Sequence, residues 1–226
     1  MERVLSSPSS SGTTAGFTLV EVLIALLVGS VVMAAVMTSF QMQHKTYLAQ
    51  DQVVEMQQNA RVAMDMLVRD IRTAGFDPDG LGAGITVAGA QNFSFTRDDG
   101  SGALETISYA LFDAFEFDDA GNPLGRNDGV VDDLGRDDGV GFFRPVAENI
   151  RRLEFRYLDR NSNATGVLEN IRYVQVALMA QSARAEVQSS PSVKTYTTPS
   201  GAVWNSDPGF WSVSLTTVVN CRNLGL

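Results

Sequence analysis

From Phe17 to Phe40 the chain is apolar apart from one charge, Glu21. Between Val22 and Val36 only Gly29 and Ser30 soften the run. The 24 residues of this run, coiled as a helix rising ~1.5 Å each, reach ~36 Å and cross a bilayer core of about 30 Å. A plain membrane anchor satisfies this hydropathy. A secretory signal peptide does not, because its cleavage site follows the apolar run at small residues. Here the run is followed by Gln41-Met42-Gln43-His44-Lys45, and the short polar leader, residues 1–16, lies in front and ends in Gly16.

The helical pattern continues past the apolar run. Thr46 to Ala74 contains neither proline nor glycine, and Val53, Met56, Ala60, Ala63 or Met64, Leu67 and Ile71 recur at spacings of three and four. Gln50, Asp51, Gln57, Gln58, Arg61, Asp65, Arg69 and Arg72 form the opposite face, with Asp65 and Arg69 spaced to pair. Gly75 and then Asp77-Pro78-Asp79-Gly80 close the helix. If unbroken, a helix over 17–74 measures about 85–90 Å.

Beyond Gly80 the period changes to two. Strands are expected at Ile85–Val87, Asn92–Thr96, Glu105–Phe112, Gly141–Pro145, Ile150–Leu158, Ile171–Ala180 and Trp211–Val219. In Ile150–Leu158, Leu153, Phe155 and Tyr157 share one face, while Glu154 and Arg156 share the other. Strands in tandem after one amphipathic helix predict an α+β fold, with an antiparallel sheet laid on the helix's second half. The expected parts are a leader (1–16), a membrane or assembly half of the helix (17–40), an amphipathic half (41–75) and a β-rich domain (76–226).

Glu21 is the costly residue. A carboxylate inside a membrane segment is expensive and marks function by default. A cut between Gly16 and Phe17 would create an amine in the same apolar layer. A neighbouring chain's Glu21 could neutralise it, and in low dielectric a pair is far cheaper than a lone charge. Such a pairing would set the axial register between stacked helices.

Gly16-Phe17-Thr18-Leu19-Val20-Glu21, with the apolar run behind it, resembles the type IV prepilin signature. The resemblance implies cleavage after Gly16 by a prepilin peptidase, N-methylation of Phe17 and an assembly role for Glu21. It also implies a pilin-like fold. Two departures accompany it. The leader carries Glu2 and Arg3 and so no net positive charge, and no proline lies between Pro8 and Pro78. Arg61-Val62-Ala63-Met64, Arg69 to Gly75 and the closing Thr216 to Asn223 resemble PilW-type minor pilins and the J-type minor pseudopilins of type II secretion. A minor pilin would sit in the inner membrane as a single-pass protein. It would then join other minor and major pilins through the assembly platform and reach the pilus, from periplasm to cell surface. A J-type pseudopilin would serve secretion instead.

The net charge is −9, which disfavours nucleic-acid phosphates as partners. Cys221 is the one cysteine, so no intrachain disulfide forms, and a buried inert thiol is its expected state. His44 is the one histidine, so a Ser-His-Asp triad or a histidine zinc site would have to use a residue of the long helix, which disfavours most hydrolase and metalloenzyme readings. No enzymatic constellation is visible. The acidity is concentrated in a loop, residues 113–139, with nine acids against Arg126 and Arg136 from Asp113 to Asp138. Within it Asp128, Asp132, Asp133, Asp137 and Asp138 are candidate oxygen ligands for calcium, although their spacing lacks the closing ligand of an EF-hand loop. A solvated acidic loop explains the same residues. With calcium, a membrane-anchored adhesin that never assembles becomes a third reading. It differs from the others in predicting that Glu21→Ala is harmless. A second loop, Gln188 to Pro208, is rich in Ser, Thr and Pro, and Trp204 and Trp211 near it read as core or loop anchors.

Overall fold

The structure is a computed structural model and describes residues 16–113, 130–186 and 191–224. The chain divides between Leu48 and Ala49 into two compact units. One helix, α1 (Leu19–Ile71), supplies the secondary structure of the first unit's described residues and begins the second. It starts and ends a few residues inside the expected 17–74, because the Thr18 side chain caps its start and Gly75 turns the chain at its end. Gly75 adopts φ +73°, the left-handed conformation that glycine enters without Cβ strain.

In the first unit every residue of α1 is exposed; shielding begins at Ala49, the first residue of the second unit. Its hydroxyls are returned to the helix itself: Ser30 Oγ donates to the Leu27 carbonyl at 2.7 Å, Thr38 Oγ1 to Ala34 at 2.9 Å and Thr46 Oγ1 to Met42 at 3.0 Å. The helix therefore runs through Gly29-Ser30 without a break.

In the second unit the expected stripe is the buried one. Met56, Ala60, Ala63, Met64, Leu67 and Ile71 enter the core, joined by Asp70. Three antiparallel sheets follow. The first is a meander of β1 (Ile85–Ala88), β2 (Asn92–Asp98), β3 (Leu104–Phe112), β4 (Asp133–Asp137) and β5 (Arg144–Ala147) in that order. The second joins β6 (Ile150–Leu158), β7 (Tyr173–Gln181) and β10 (Ser212–Asn220), with β7 in the centre. The third is a small hairpin of β8 (Thr195–Thr197) and β9 (Val203–Asn205). The seven expected strands are all present with ends shifted by a few residues, the largest shift being Gly141–Pro145 to Arg144–Ala147.

Phe93 ties the two larger sheets together. Its ring centroid lies 5.5 Å from Phe95 in its own strand and 5.6 and 5.9 Å from Phe155 and Tyr157 of β6. These tilted aromatic contacts, with Ile107, Leu134, Leu153, Val176, Leu178 and Val219, complete the core under α1.

Three expectations need correction. The acidic loop 113–139 is not loop throughout, since Asp133–Asp137 is strand β4 between β3 and β5. Leu134 is fully buried there, and Gly135 lets the rings of Phe112 and Phe143 close over the strand; a Cβ would meet them at 2.7–2.9 Å. The loop Gln188 to Pro208 contains the β8–β9 hairpin, in which Tyr196 faces Trp204. The Asp65–Arg69 pair does not form, because Arg69 Nε leans toward the buried Asp70 at 3.7 Å.

Candidate functional site

Two places bring chemistry-bearing residues together. The first is the start of α1. Gly16, Phe17 and Thr18 precede the helix, and Phe17 is 89% exposed. Thr18 and Glu21 close on each other as a capping box. Glu21 Oε2 accepts the Thr18 N–H at 2.9 Å and the Thr18 hydroxyl at 2.9 Å, and the Glu21 N–H donates to Thr18 Oγ1 at 3.3 Å. All of Glu21's bonds use Oε2, so Oε1 keeps its acceptor capacity among the described residues. The sequence spacing Thr-x-x-Glu carries this capping signal as well as the expected assembly residue.

The surroundings of the glycines are informative. A Cβ on Gly16 or on Gly29 would meet nothing within 4 Å, and neither has positive φ. Among the described residues nothing requires glycine at either position.

The second place is the end of α1, and sequence reasoning missed it. Asp70 is 4% exposed and accepts two bonds on Oδ2, from the Tyr109 hydroxyl at 2.7 Å and from Arg136 Nε at 2.8 Å. Burial, and then the adjacent Asp70 charge, push the Tyr109 hydroxyl's pKa well above its ordinary value. Burial works against the charged Arg136, but its bond to Asp70 outweighs this and holds the guanidinium protonated. The network pins β4 to the helix. The available signal was Asp70's place three residues after Leu67 and four before Ala74, on the apolar stripe.

The calcium candidates do not converge. Asp128 lies outside the described residues. Asp133 and Asp137 stand at opposite ends of β4, about 13 Å apart at the rise of a strand. Asp137 Oδ1 accepts the N–H groups of Gly139, Val140 and Gly141 at 3.0–3.1 Å, and Asp138 Oδ2 faces Arg144 at 3.4 Å and Arg136 at 3.8 Å. The Asp132 carbonyl accepts the Ile150 N–H. Among the described residues no three metal-ligating side chains form a group. Cys221 is buried, and burial, only partly offset by Arg172, pushes its thiol up to about 12. It is inert as a nucleophile at neutral pH. Trp211 packs against the core and Trp204 sits half-buried in β9.

The start of α1 is therefore the place with functional geometry: a peptide ahead of a helix, an exposed aromatic, a carboxylate in the first turn and an exposed apolar helix long enough to cross a membrane. Residues 13–37 match the prokaryotic N-terminal methylation motif. The N-terminal segment is thus of the type IV prepilin kind, and the α+β architecture behind it is pilin-like. No curated protein and no solved structure matches the chain.

Proposed function

We propose that this protein is a minor pilin of the PilW type. It is inserted in the inner membrane, cut by prepilin peptidase between Gly16 and Phe17, N-methylated on Phe17 and added to a type IV pilus or its initiating tip. It is a structural subunit, and the chemistry at Phe17 is done to it. The observation that carries this reading is the start of α1, where the Gly16–Phe17 bond stands outside the helix and a Cβ on Gly16 would meet none of the described residues.

A protease binds its substrate extended, and three residues of non-helical chain ahead of α1 offer that conformation without unwinding the helix. Glycine at Gly16 admits close approach of an enzyme's backbone. In the assembled state Glu21 Oε1 accepts the amine of a neighbour's Phe17 while Oε2 goes on capping its own helix. Burial of the apolar helix among other helices drives the exchange of lipid for protein, and Gly29 allows two helices to approach closely.

Intact-mass measurement and N-terminal sequencing of the protein from its native membrane or sheared filaments test the proposal. A chain starting at N-methyl-Phe17 is expected. A chain starting at Met1 in its own cell would reduce the run to an anchor and end the pilin reading. Glu21→Ala is expected to be processed normally and to be lost from filaments.

A further inference from the structure

Among the described residues of the second unit, every sheet edge but one is closed by a recognisable device. β1 and β5 are four residues long, each with an irregular register, and β5 contains Pro145. β8 and β9 have three residues each. β6 carries Arg151, Arg152, Glu154 and Arg156 and a register shift, and its outer edge is met by other backbone: Phe155 N–H donates to the Ala90 carbonyl, Ile150 N–H to Asp132, and the Tyr157 carbonyl accepts from Thr165. Short length, proline, bulges, charge and cover are the ways proteins blunt an edge against pairing.

Beyond its first residue, β10 has none of them among the described residues. It is nine residues long, SVSLTTVVN, with no charge, proline or glycine, and it pairs with β7 at every position from Ser212 to Asn220 without a bulge. The ladder's alternation is fixed at both ends, because Ser182 N–H donates to the Trp211 carbonyl and Cys221 N–H to the Arg172 carbonyl. Odd-numbered residues of β10 thus bond to β7, and even-numbered ones turn their backbone groups outward. The Ser212 carbonyl is met by the Tyr196 hydroxyl at 2.9 Å and Lys194 Nζ at 3.4 Å. Among the described residues nothing meets the N–H and carbonyl groups of Ser214, Thr216, Val218 and Asn220. Val213 and Leu215, beside that edge, face the core yet are only partly buried.

We infer that the outer edge of β10 takes up an extended, uncharged strand from a different and less acidic subunit, which continues the β6-β7-β10 sheet. Main-chain bonds would supply affinity, and alternate apolar side chains of the incoming strand would cover Val213 and Leu215. Charge selects the occupant. Residues 1–48 hold two acids and two bases, so the whole net charge of −9 belongs to the unit that carries β10. Two copies edge to edge would repel, whereas a neutral or basic partner would not. The inference deepens the pilin reading by naming how a neighbouring subunit is held.

The test uses the full chain in detergent micelles and a labelled synthetic peptide of the β7 sequence, Tyr173–Gln181, flanked by lysines, with empty micelles as control. Saturable binding by fluorescence anisotropy is expected. Thr216→Pro is expected to weaken it at least tenfold with little change in melting temperature, because the Thr216 N–H takes no part in the ladder. Val218→Lys, a second variant, is expected to weaken it as well, and a peptide N-methylated at alternate amides is expected not to bind. Absence of saturable binding, or equal binding by both variants, would overturn the inference. So would a wild-type dimer in light scattering that Thr216→Pro dissolves, since the occupant would then be a second copy. Neither processing nor filament entry is read out, so failure here leaves the pilin reading standing, and a Met1 start leaves this result standing.

Discussion

Both halves of α1 carry large apolar side chains, and these meet opposite fates. From Leu19 to Leu48 the large apolar side chains face outward: Leu19 is 76% exposed and Met33 69%. From Ala49 to Ile71 the stripe is closed under sheets, and Leu67 and Ile71 have no exposure at all. Apolar surface of the first kind needs a solvent other than water, supplied by lipid or by other helices. The second kind is satisfied by the chain alone. One continuous helix therefore divides its surface between what folds the subunit and what places it among others, and substitutions in the two halves should separate cleanly.

The largest effect is expected where the second half is polar. Asp70→Ala leaves the half-buried Arg136 with only the more distant Asp138 and the Tyr109 hydroxyl without its acceptor, and breaking a buried pair from one side costs about 3–5 kcal/mol. Leu67→Ala opens a cavity in the same layer and costs about 2–5 kcal/mol. Urea unfolding of the full chain in micelles, followed by tryptophan fluorescence, measures both. If Asp70→Ala costs under about 1 kcal/mol, the network is peripheral and β4 is held by packing alone.

That network also shows how far the sequence was legible. The helix and seven strands could be read because each followed one period, 3.6 or 2, over enough residues. β4 could not. Asp133-Leu-Gly-Arg-Asp137 has one apolar residue in five and sits among Asp-Gly pairs that spell turns. What makes it a strand is non-local: a carboxylate on α1 for Arg136, and two aromatic rings over Gly135. β8 and β9 were hidden for the same reason, three residues apiece inside a Ser/Thr/Pro stretch. At the start of α1 the motif was readable residue by residue, because both the capping box and the processing signature are local. Which oxygen of Glu21 remained free was not, since that depends on coordinates.

A smaller effect is expected with pH. Cys221 and Tyr157 are neighbours in the core: burial raises both, and each tyrosine or thiol that resists ionisation holds its proton more tightly folded than unfolded. Tyr109 behaves alike. Below the ordinary thiol value of 9.0 both states are protonated and stability does not change on this account. Between there and about 12 the unfolded thiol ionises and the folded one does not, so stability falls as pH rises, with the tyrosines adding from their ordinary value of 10.0 upward. Melting temperatures from pH 8 to 11 in wild type and Cys221→Ala test this. The variant should lose the part of the decline that begins near 9 and keep the part that begins near 10. Identical profiles would mean that the thiol ionises in the folded state as it does in water.

The start of the helix should respond less, and only locally. Thr18→Ala removes the cap hydroxyl, worth about 1 kcal/mol to the first turn. Amide exchange in micelles should quicken at Leu19 to Val22 and stay unchanged from Met56 onward, because the first turn unravels without disturbing the core. Exchange quickened at Leu67 as well would show that the helix opens as a single cooperative piece.

Smallest of all is the expected effect of Leu27→Ala on folding. Leu27 is 66% exposed and is not part of the buried core cluster, so its truncation opens no cavity there. Urea unfolding of the second unit should be unchanged within about 0.5 kcal/mol. The same substitution should still reduce incorporation into filaments, because the surface lost is surface that neighbouring helices would cover. Leu67→Ala should do the reverse at low dose of denaturant, weakening the fold while leaving the assembling surface intact. If Leu27→Ala were neutral in both assays, the exposed half of α1 would be a lipid anchor and no more. If it were destabilising in the first, the division between folding surface and assembly surface would fail at the very residue where it is most sharply drawn.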